Sequence, residues 1–367
     1  MFRPTALLFA IAITMHVSLV HAADEDAAPQ QIEAFRRLDQ NQDGVISQNE
    51  LPSAVQANFH RVDLDGNGRI SLAEHIRFLN RKAARQPRSD HSDWRIHRNI
   101  AYVPNGHPRQ TLDIYQAPPF VQHAPLVIWI HGGGWRAGSA VPCPITALAE
   151  RGFVIASINY RLSQHAVFPA QIHDCRSAVR RLRSNSLKYG IDPDRIGVWG
   201  ASAGGHLAAL LGTSAAATEL NATDTTDRTS CVVQAVCDWF GPTDLLKLNQ
   251  HAGNLGTLDH DAAESPESLL LGGPLQQNQE LAHLASPLTW IKADAPPFLI
   301  VHGEEDPLVS IRQSELLHEA LRKAGGSSEF VRVPDAGHGQ FSDPAVKERC
   351  FEFFSRTLTS KPGPASQ

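Results

Sequence analysis

None of the five cysteines, Cys143, Cys175, Cys231, Cys237 and Cys350, belongs to a CxxC pair, which excludes a thiolate zinc site of the usual spacing. The odd count leaves at least one thiol free. Spacing alone does not fix a pairing: Cys143 with Cys175 is a candidate disulfide, with simple burial of free thiols as the alternative. The chain also lacks a basic balance: net charge −5 and a pI near 6.4 give no field for a phosphate backbone, so nucleic acid is not an expected partner. Long apolar runs are missing too. Ala6 to Val20 falls short of the ~20 residues that span a bilayer and is interrupted by His16 and Ser18. With 42% apolar and 19% charged residues, the composition is neither that of a disordered chain nor that of a membrane-embedded one.

That apolar run has instead the form of an export signal over residues 1–22. Arg3 supplies the positive start, Val20-His21-Ala22 forms a small-residue cleavage site, and the mature chain is expected to begin at Ala23 in the periplasm or outside the cell, with no membrane segment left. The 367 residues leave room for one large catalytic domain and a small appendage.

Residues 30–80 carry two copies of an oxygen-ligand pattern. Asp39, Asn41, Asp43 and Ser47 fall at positions one, three, five and nine of a loop, with Gly44 at the sharp turn, Val45 offering its carbonyl at seven and Glu50 closing at twelve. Asp63, Asp65, Asn67, Gly68, Arg69 through its carbonyl, Ser71 and Glu74 repeat the pattern. Each loop gathers three carboxylates that repel one another unless a divalent cation sits among them, so Ca²⁺ is expected in an EF-hand pair. Ile46 and Ile70 should pair across a short strand. Ile32, Phe35 and Leu38 predict an entering helix, and Ile76 and Leu79 a leaving one. Only Leu51 to Val62 separates the loops, which suggests one shared helix; the spacing also resembles a dockerin module, although Glu at position twelve favours an EF-hand pair. A structural or tethering role outranks sensing, since extracellular modules need only ~10⁻⁴–10⁻³ M affinity. A protein partner of this module stays open. Residues 81–93, basic and polar with Pro87, are expected to be a linker.

From Trp94 to about residue 360, short apolar runs alternate with helical stretches, the pattern of a mostly parallel sheet flanked by helices. Strands are predicted over 100–103, 112–115, 126–130, 154–158, 196–199, 232–236, 298–301 and 330–333, with helices over 144–150, 169–185, 203–211 and 311–324. Gly200-Ala201-Ser202-Ala203-Gly204-Gly205 stands between the strand ending at Trp199 and a run of helix formers. A strand-to-helix turn this tight exposes the serine hydroxyl and demands small neighbours, so Ser202 is the candidate nucleophile. His131-Gly132-Gly133-Gly134-Trp135 follows another strand; the N–H groups of Gly133, Gly134 and Ala203 are the candidate oxyanion donors, and His131 is expected to organise the turn. The order serine, acid, histidine is completed by Asp306 and His338, each just past a strand, with Glu305 and Asp238 as rival acids. His206 and His302 are read as helix or core residues. Trp239, Phe240, Trp135 and Phe168 are candidates for a substrate pocket, with the segment from Asp238 to Pro287 as its cap or wall.

On those motifs, with Ala156 to Leu162, Phe168 to Gln171 and Asp238 to Asp244, the stretch from about Ile100 to Phe354 resembles the α/β-hydrolase carboxylesterases. Within them it is similar to the hormone-sensitive-lipase-like group and, more closely, to bifunctional feruloyl and acetyl esterases of polysaccharide-degrading bacteria. The resemblance implies an α/β-hydrolase fold after a small all-α EF-hand pair, a serine esterase needing no catalytic cofactor, and an ester substrate with acetyl or feruloyl groups on a polysaccharide. A serine exopeptidase of the same fold, or a calcium-dependent binding protein on a degenerate scaffold, are the alternatives.

Overall fold

The computed structural model describes residues 29–51, 56, 59–85, 91–220, 227–339 and 341–359, which form two compact units dividing between His91 and Ser92. The expected signal segment lies outside the described residues, as does half of the stretch 51–62 expected to form a shared helix.

In the first unit, helix α1 (Pro29–Leu38) leads into strand β1 (Val45–Ser47), and strand β2 (Arg69–Ser71) into helix α2 (Leu72–Arg85). The strands pair antiparallel with Ile46 opposite Ile70. Those two isoleucines, Phe35 and Phe59 form the small buried core. Each loop contributes one rung of strand, the pairing expected between Ile46 and Ile70. Helix α2 also runs on to Arg85, into the stretch read as linker, since Lys82, Ala83, Ala84 and Arg85 are good helix formers.

The second unit is built on an eight-stranded sheet in the order β10-β9-β8-β7-β5-β6-β4-β3. Its strands are β3 (Arg95–Ala101), β4 (Thr111–Gln116), β5 (Ala124–Ile130), β6 (Val154–Ile158), β7 (Ile191–Ala201), β8 (Ala235–Trp239), β9 (Phe298–Gly303) and β10 (Ser328–Val333). All neighbours from β10 to β6 are parallel, and β4 and β3 are antiparallel. Central strands buried on both faces read as continuous apolar runs, which is why β5 and β6 are wholly buried. One face packs Leu126, Ile128 and Ile130 against helices α3 (Ala170–Ser184) and α4 (Ala203–Thr213). The other packs Val127, Trp129 and Trp199 against Phe351, Phe353 and Phe354 of the C-terminal helix, Pro344–Thr359. Trp199 is fully buried, its ring 5.0 Å from that of Trp239 and 5.8 Å from that of Phe354.

Three expectations are corrected. Strand β8 starts at Ala235, three residues later than read, because Val232 is exposed and the pairing with β7 carries the strand through Asp238 to Trp239. The helix expected over 144–150 is a 3₁₀ stretch, Thr146–Arg151, ended by Gly152 at φ +85°. All five cysteines are free and buried. Cys143 packs on one face of the sheet and Cys175 on the other, so the sheet itself separates the expected pair. The C-terminal helix, α9, and the short helices α5 (Leu248–Ala252), α6 (Pro266–Leu271) and α7 (Gln279–Ala285) were not anticipated, whereas α8 (Ile311–Lys323) falls where it was expected.

Candidate active site

The chain passes from β5 to β6 on one side and then to β7 on the other, so the sheet's switch point opens a crevice at the C-terminal ends of β5 and β7. Ser202 stands there, between the end of β7 and the start of α4, at φ 56° and ψ −122°. Such a conformation costs about 1–3 kcal/mol in a non-glycine residue and persists only where the surroundings impose it. Here they do: the Ser202 N–H donates to the Trp239 carbonyl at 2.8 Å. The flanking glycines are needed for closeness. A Cβ on Gly200 would lie 2.0 Å from the Gly204 carbonyl, and one on Gly204 would lie 2.1 Å from the Ile130 carbonyl.

His338 Nε2 lies 2.9 Å from Ser202 Oγ, and its Nδ1 lies 2.7 Å from Asp306 Oδ2. Asp306 follows β9 and His338 follows β10, so two neighbouring strand ends deliver the pair to the serine. Burial alone would raise the Asp306 carboxyl, but His302 and His338 beside it hold it well below the usual carboxylate range. An ionised Asp306 can only accept, so Nδ1 of His338 carries the proton and Nε2 offers its lone pair to the serine hydroxyl. The other carboxylate oxygen accepts the N–H groups of Leu308 and Val309, each at 2.9 Å.

His302 is a core residue, as expected, but it also reaches the site. Its Nε2 lies 3.1 Å from Asp306 Oδ2 and 2.8 Å from the Val309 carbonyl, both acceptors, while Nδ1 faces the Ser314 hydroxyl at 2.7 Å. The ring therefore donates from Nε2 and accepts at Nδ1, adding a second imidazole to the carboxylate that holds His338. Of the rival acids, Glu305 is exposed, and Asp238 lies fully buried in β8 with its Oδ1 accepting the Gly241 N–H at 3.0 Å. Neither is bonded to His338 among the described residues.

The glycine turn after β5 faces the serine. Gly133 takes φ +108°, and a Cβ there would meet the Ala137 carbonyl at 2.5 Å. The N–H groups of Gly133, Gly134 and Ala203 donate to no other group among the described residues, and all three residues line the same cavity as Ser202. His131 sits behind the turn: its Nδ1 donates to the Gly132 carbonyl at 2.8 Å, its Nε2 meets the Arg109 guanidinium at 3.2 Å, and its ring stacks on Tyr160. Burial lowers its pKa to about 4, so the ring is neutral and structural.

The cavity over Ser202 holds about 930 Å³, at the upper end of the range of small-molecule sites. Phe240, Leu258, His260, Pro266, Glu267 and Leu269 form part of its wall, all within the segment from Asp238 to Pro287. Trp135 also lines it, with its indole N–H donating to His206 Nδ1 at 3.2 Å. Two expected pocket aromatics lie elsewhere. Trp239 packs into the cluster around Trp199 and Phe341, and Phe168 into the core under α3, because the alternation of β8 and the packing of the β6–α3 loop turn them away from the cavity.

In the first unit the loop carboxylates turn inward. Asp39 accepts the N–H groups of Asp43 and Gly44, and Asp63 those of Asn67 and Gly68. Ser47 N–H and Oγ–H both reach Glu50, as Ser71 does Glu74. The Ser47 backbone bond is foremost in lowering the Glu50 pKa to about 2. In the second loop, oxygens of Asp63, Asp65 and Glu74 lie within 4.8 Å of one another. Like charges that close repel by about 1 kcal/mol a pair even at the dielectric of water, and an all-oxygen donor set suits a hard cation. The residues present therefore fit Ca²⁺.

The BD-FAE family model matches residues 112–321, a stretch with the glycine turn, the Ser202 elbow and Asp306. A model described as TAP-like protein matches residues 281–364, and an EF hand model matches residues 32–52 and 55–79. The chain is 34% identical over 258 residues to Esterase LipQ of Mycobacterium tuberculosis, an alignment that covers 68% of this chain and 59% of LipQ. It thus spans less than two thirds of the length of that relative, and 57% of Esterase LipC from the same organism. Among solved structures, a truncated carbohydrate esterase from gut microbiota superposes with a TM-score of 0.67 at 31% identity, covering 72% of this chain and 97% of that one. An acetyl ester-xyloside bifunctional hydrolase from Caldicellulosiruptor lactoaceticus gives 0.55 at 26% identity, covering 67% and 88%.

Proposed function

The chain belongs to the BD-FAE family of α/β-hydrolase esterases, and from that premise we propose that it is an exported serine carboxylesterase acting through an acyl-enzyme on Ser202. The observation that carries this reading is the hydrogen-bonded chain Ser202–His338–Asp306 opening on a cavity edged by three N–H groups that donate to nothing else among the described residues. His338 Nε2 takes the hydroxyl proton as Oγ attacks the ester carbon, and the carbonyl electron pair moves onto its oxygen. Gly133, Gly134 and Ala203 stabilise that oxyanion, each donor worth about 10²–10³ in rate. His338 then gives its proton to the departing alkoxide, and a water activated by the same nitrogen releases the acid and restores Ser202. Asp306 fixes the tautomer throughout.

Acetyl or feruloyl esters on polysaccharides are the proposed substrates. The size of the cavity and the carbohydrate-directed names of similar structures support that class. Asp39, Asn41, Asp43, Val45, Ser47 and Glu50, with Asp63, Asp65, Asn67, Arg69, Ser71 and Glu74, would hold Ca²⁺, which would neutralise their charge in a structural or tethering role and take no part in the chemistry. Export rests on the form of residues 1–22.

Hydrolysis of p-nitrophenyl acetate and methyl ferulate by the wild type and by Ser202→Ala tests the reading. Turnover on at least one ester, lost in the variant, is expected. Folded wild-type protein that cleaves neither ester but does cleave a prolyl peptide would return the exopeptidase alternative; folded protein that cleaves neither esters nor peptides would return the binding scaffold.

A further inference from the structure

The chain between α5 and α6 crosses the turn that carries Asp306 and grips it from the cavity side. Thr257 donates from its N–H and its Oγ1 to the Pro307 carbonyl at 3.0 and 3.2 Å. His260 Nε2 reaches the Leu308 carbonyl at 3.1 Å. The turn's N–H groups hold Asp306, as described, so its two edges are tied to the catalytic acid and to the cavity wall.

His260 is buried, 3% exposed, and its Nδ1 lies 3.1 Å from Oε1 of Glu267, which is also 3% exposed. Both residues line the cavity over Ser202. The Leu308 carbonyl accepts only, so Nε2 must carry a proton. Nδ1 then faces a carboxylate, a second acceptor, and the two ring nitrogens are both satisfied only in the imidazolium. No straight hydrogen bond joins Nδ1 to Glu267, whose Oε2 has no partner among the described residues, so the pair is held by opposite charge. Burial opposes a charged ring, but Glu267 outweighs it and the His260 pKa is raised from its ordinary value. The groups that face the ring are Glu267 from α6, Asp259 and Asp261 from its own loop, and the Leu308 carbonyl with Asp306 behind it; from α5 the neutral Asn249 accepts the His260 backbone N–H at 2.7 Å.

We propose that the His260–Glu267 pair is a positioning unit that holds the Leu308 carbonyl, and through that turn the Asp306 carboxylate, in line with His338, so that the substrate-cavity wall and the catalytic acid are set together. The proposal rests on reading Ser202, His338 and Asp306 as a triad. Loss of the His260 proton at high pH leaves a lone pair against a buried carboxylate, and the turn loses one anchor. Misplacement of a catalytic group by about 1 Å costs on the order of 10²-fold in rate, so a small displacement is enough to register.

The test measures kcat and KM for p-nitrophenyl acetate across the alkaline range in wild type, His260→Leu, His260→Gln and Glu267→Gln, with fluorophosphonate labelling of Ser202 on the same samples. His260→Leu should lower kcat by about tenfold or more and raise KM by a smaller factor, since the same contact sets both the acid and the cavity wall. His260→Gln keeps an N–H toward Leu308, and Glu267→Gln offers an amide N–H to a neutral His260. Both should keep most of the neutral-pH kcat and lose the fall in kcat that wild type shows as His260 deprotonates. Wild-type protein that labels and turns over, with the same alkaline profile in both glutamine variants, overturns the proposal even if His260→Leu does not fold. Folded wild-type protein that neither labels nor turns over overturns the triad reading instead.

Discussion

Replacing Asp238 by asparagine should stabilise the protein at alkaline pH and leave activity in place. Asp238 is fully buried in β8, with Oδ1 on the Gly241 N–H and Oδ2 without a partner among the described residues. Burial is the foremost cause that raises its pKa to about 7, against the opposing pull of the Gly241 bond. In the unfolded chain the same group titrates near ~3.9. Between those values the folded form holds a proton that the unfolded form has lost, so stability falls as pH rises from about 4 to about 7 and stays low above it. About three units at 1.36 kcal/mol each give an upper bound of about 4 kcal/mol. The amide introduced by Asp238→Asn would keep an oxygen acceptor for the Gly241 N–H and remove the titration. Melting followed by tryptophan fluorescence should show the variant up to ~8 °C above wild type at pH 8, with the difference gone by about pH 4. Ester turnover should stay within about twofold of wild type, since His338 is held by Asp306. A variant that melts below wild type at both pH values, or that loses turnover while folded, would refute the reasoning and restore Asp238 as a rival acid.

Three further outcomes are expected. His302→Leu should lower kcat by about tenfold or more, and His302→Gln, which keeps an N–H toward Asp306, should recover part of it; equal activity in all three proteins would show that the second imidazole is idle. Chelation by EDTA should lower the melting temperature of the residue 29–85 unit with ester kcat unchanged, and Glu50→Gln combined with Glu74→Gln should remove the calcium-dependent shift; turnover lost on chelation from protein still folded would contradict a non-chemical role. All five thiols should react with a thiol reagent in denaturant without prior reduction, and none in the native protein; fewer than five would reveal a disulfide.

The arrangement of the candidate site was legible where covalent geometry leaves few choices. Gly200 and Gly204 are required because backbone crosses within about 2 Å of where a Cβ would stand, and the sequence carries that requirement openly. Asp306 and His338 were legible by position, since the ends of parallel strands converge on the crevice beside Ser202. His302 was not, because a histidine inside an apolar strand looks the same whether it fills the core or also holds a carboxylate. His260 and Glu267 stand in a segment of short helices and loops without periodicity, so only the folded chain brings them to Leu308. The shift of β8 has a similar cause: Asp238 breaks the apolar run in sequence, yet it lies in the strand and stays buried. Helix α9 is different. Val346, Cys350, Phe353, Phe354 and Leu358 repeat at helical spacing and are all buried, so the signal for it was present in the sequence.

The most direct measurement of the central claim is the mass of the protein and its peptides after brief treatment with a fluorophosphonate, in wild type, Ser202→Ala and His338→Ala. One adduct per chain on the peptide containing Ser202, absent in Ser202→Ala and much slower to form in His338→Ala, is the predicted result. An adduct on another residue, or ester turnover that survives in Ser202→Ala, would contradict the account.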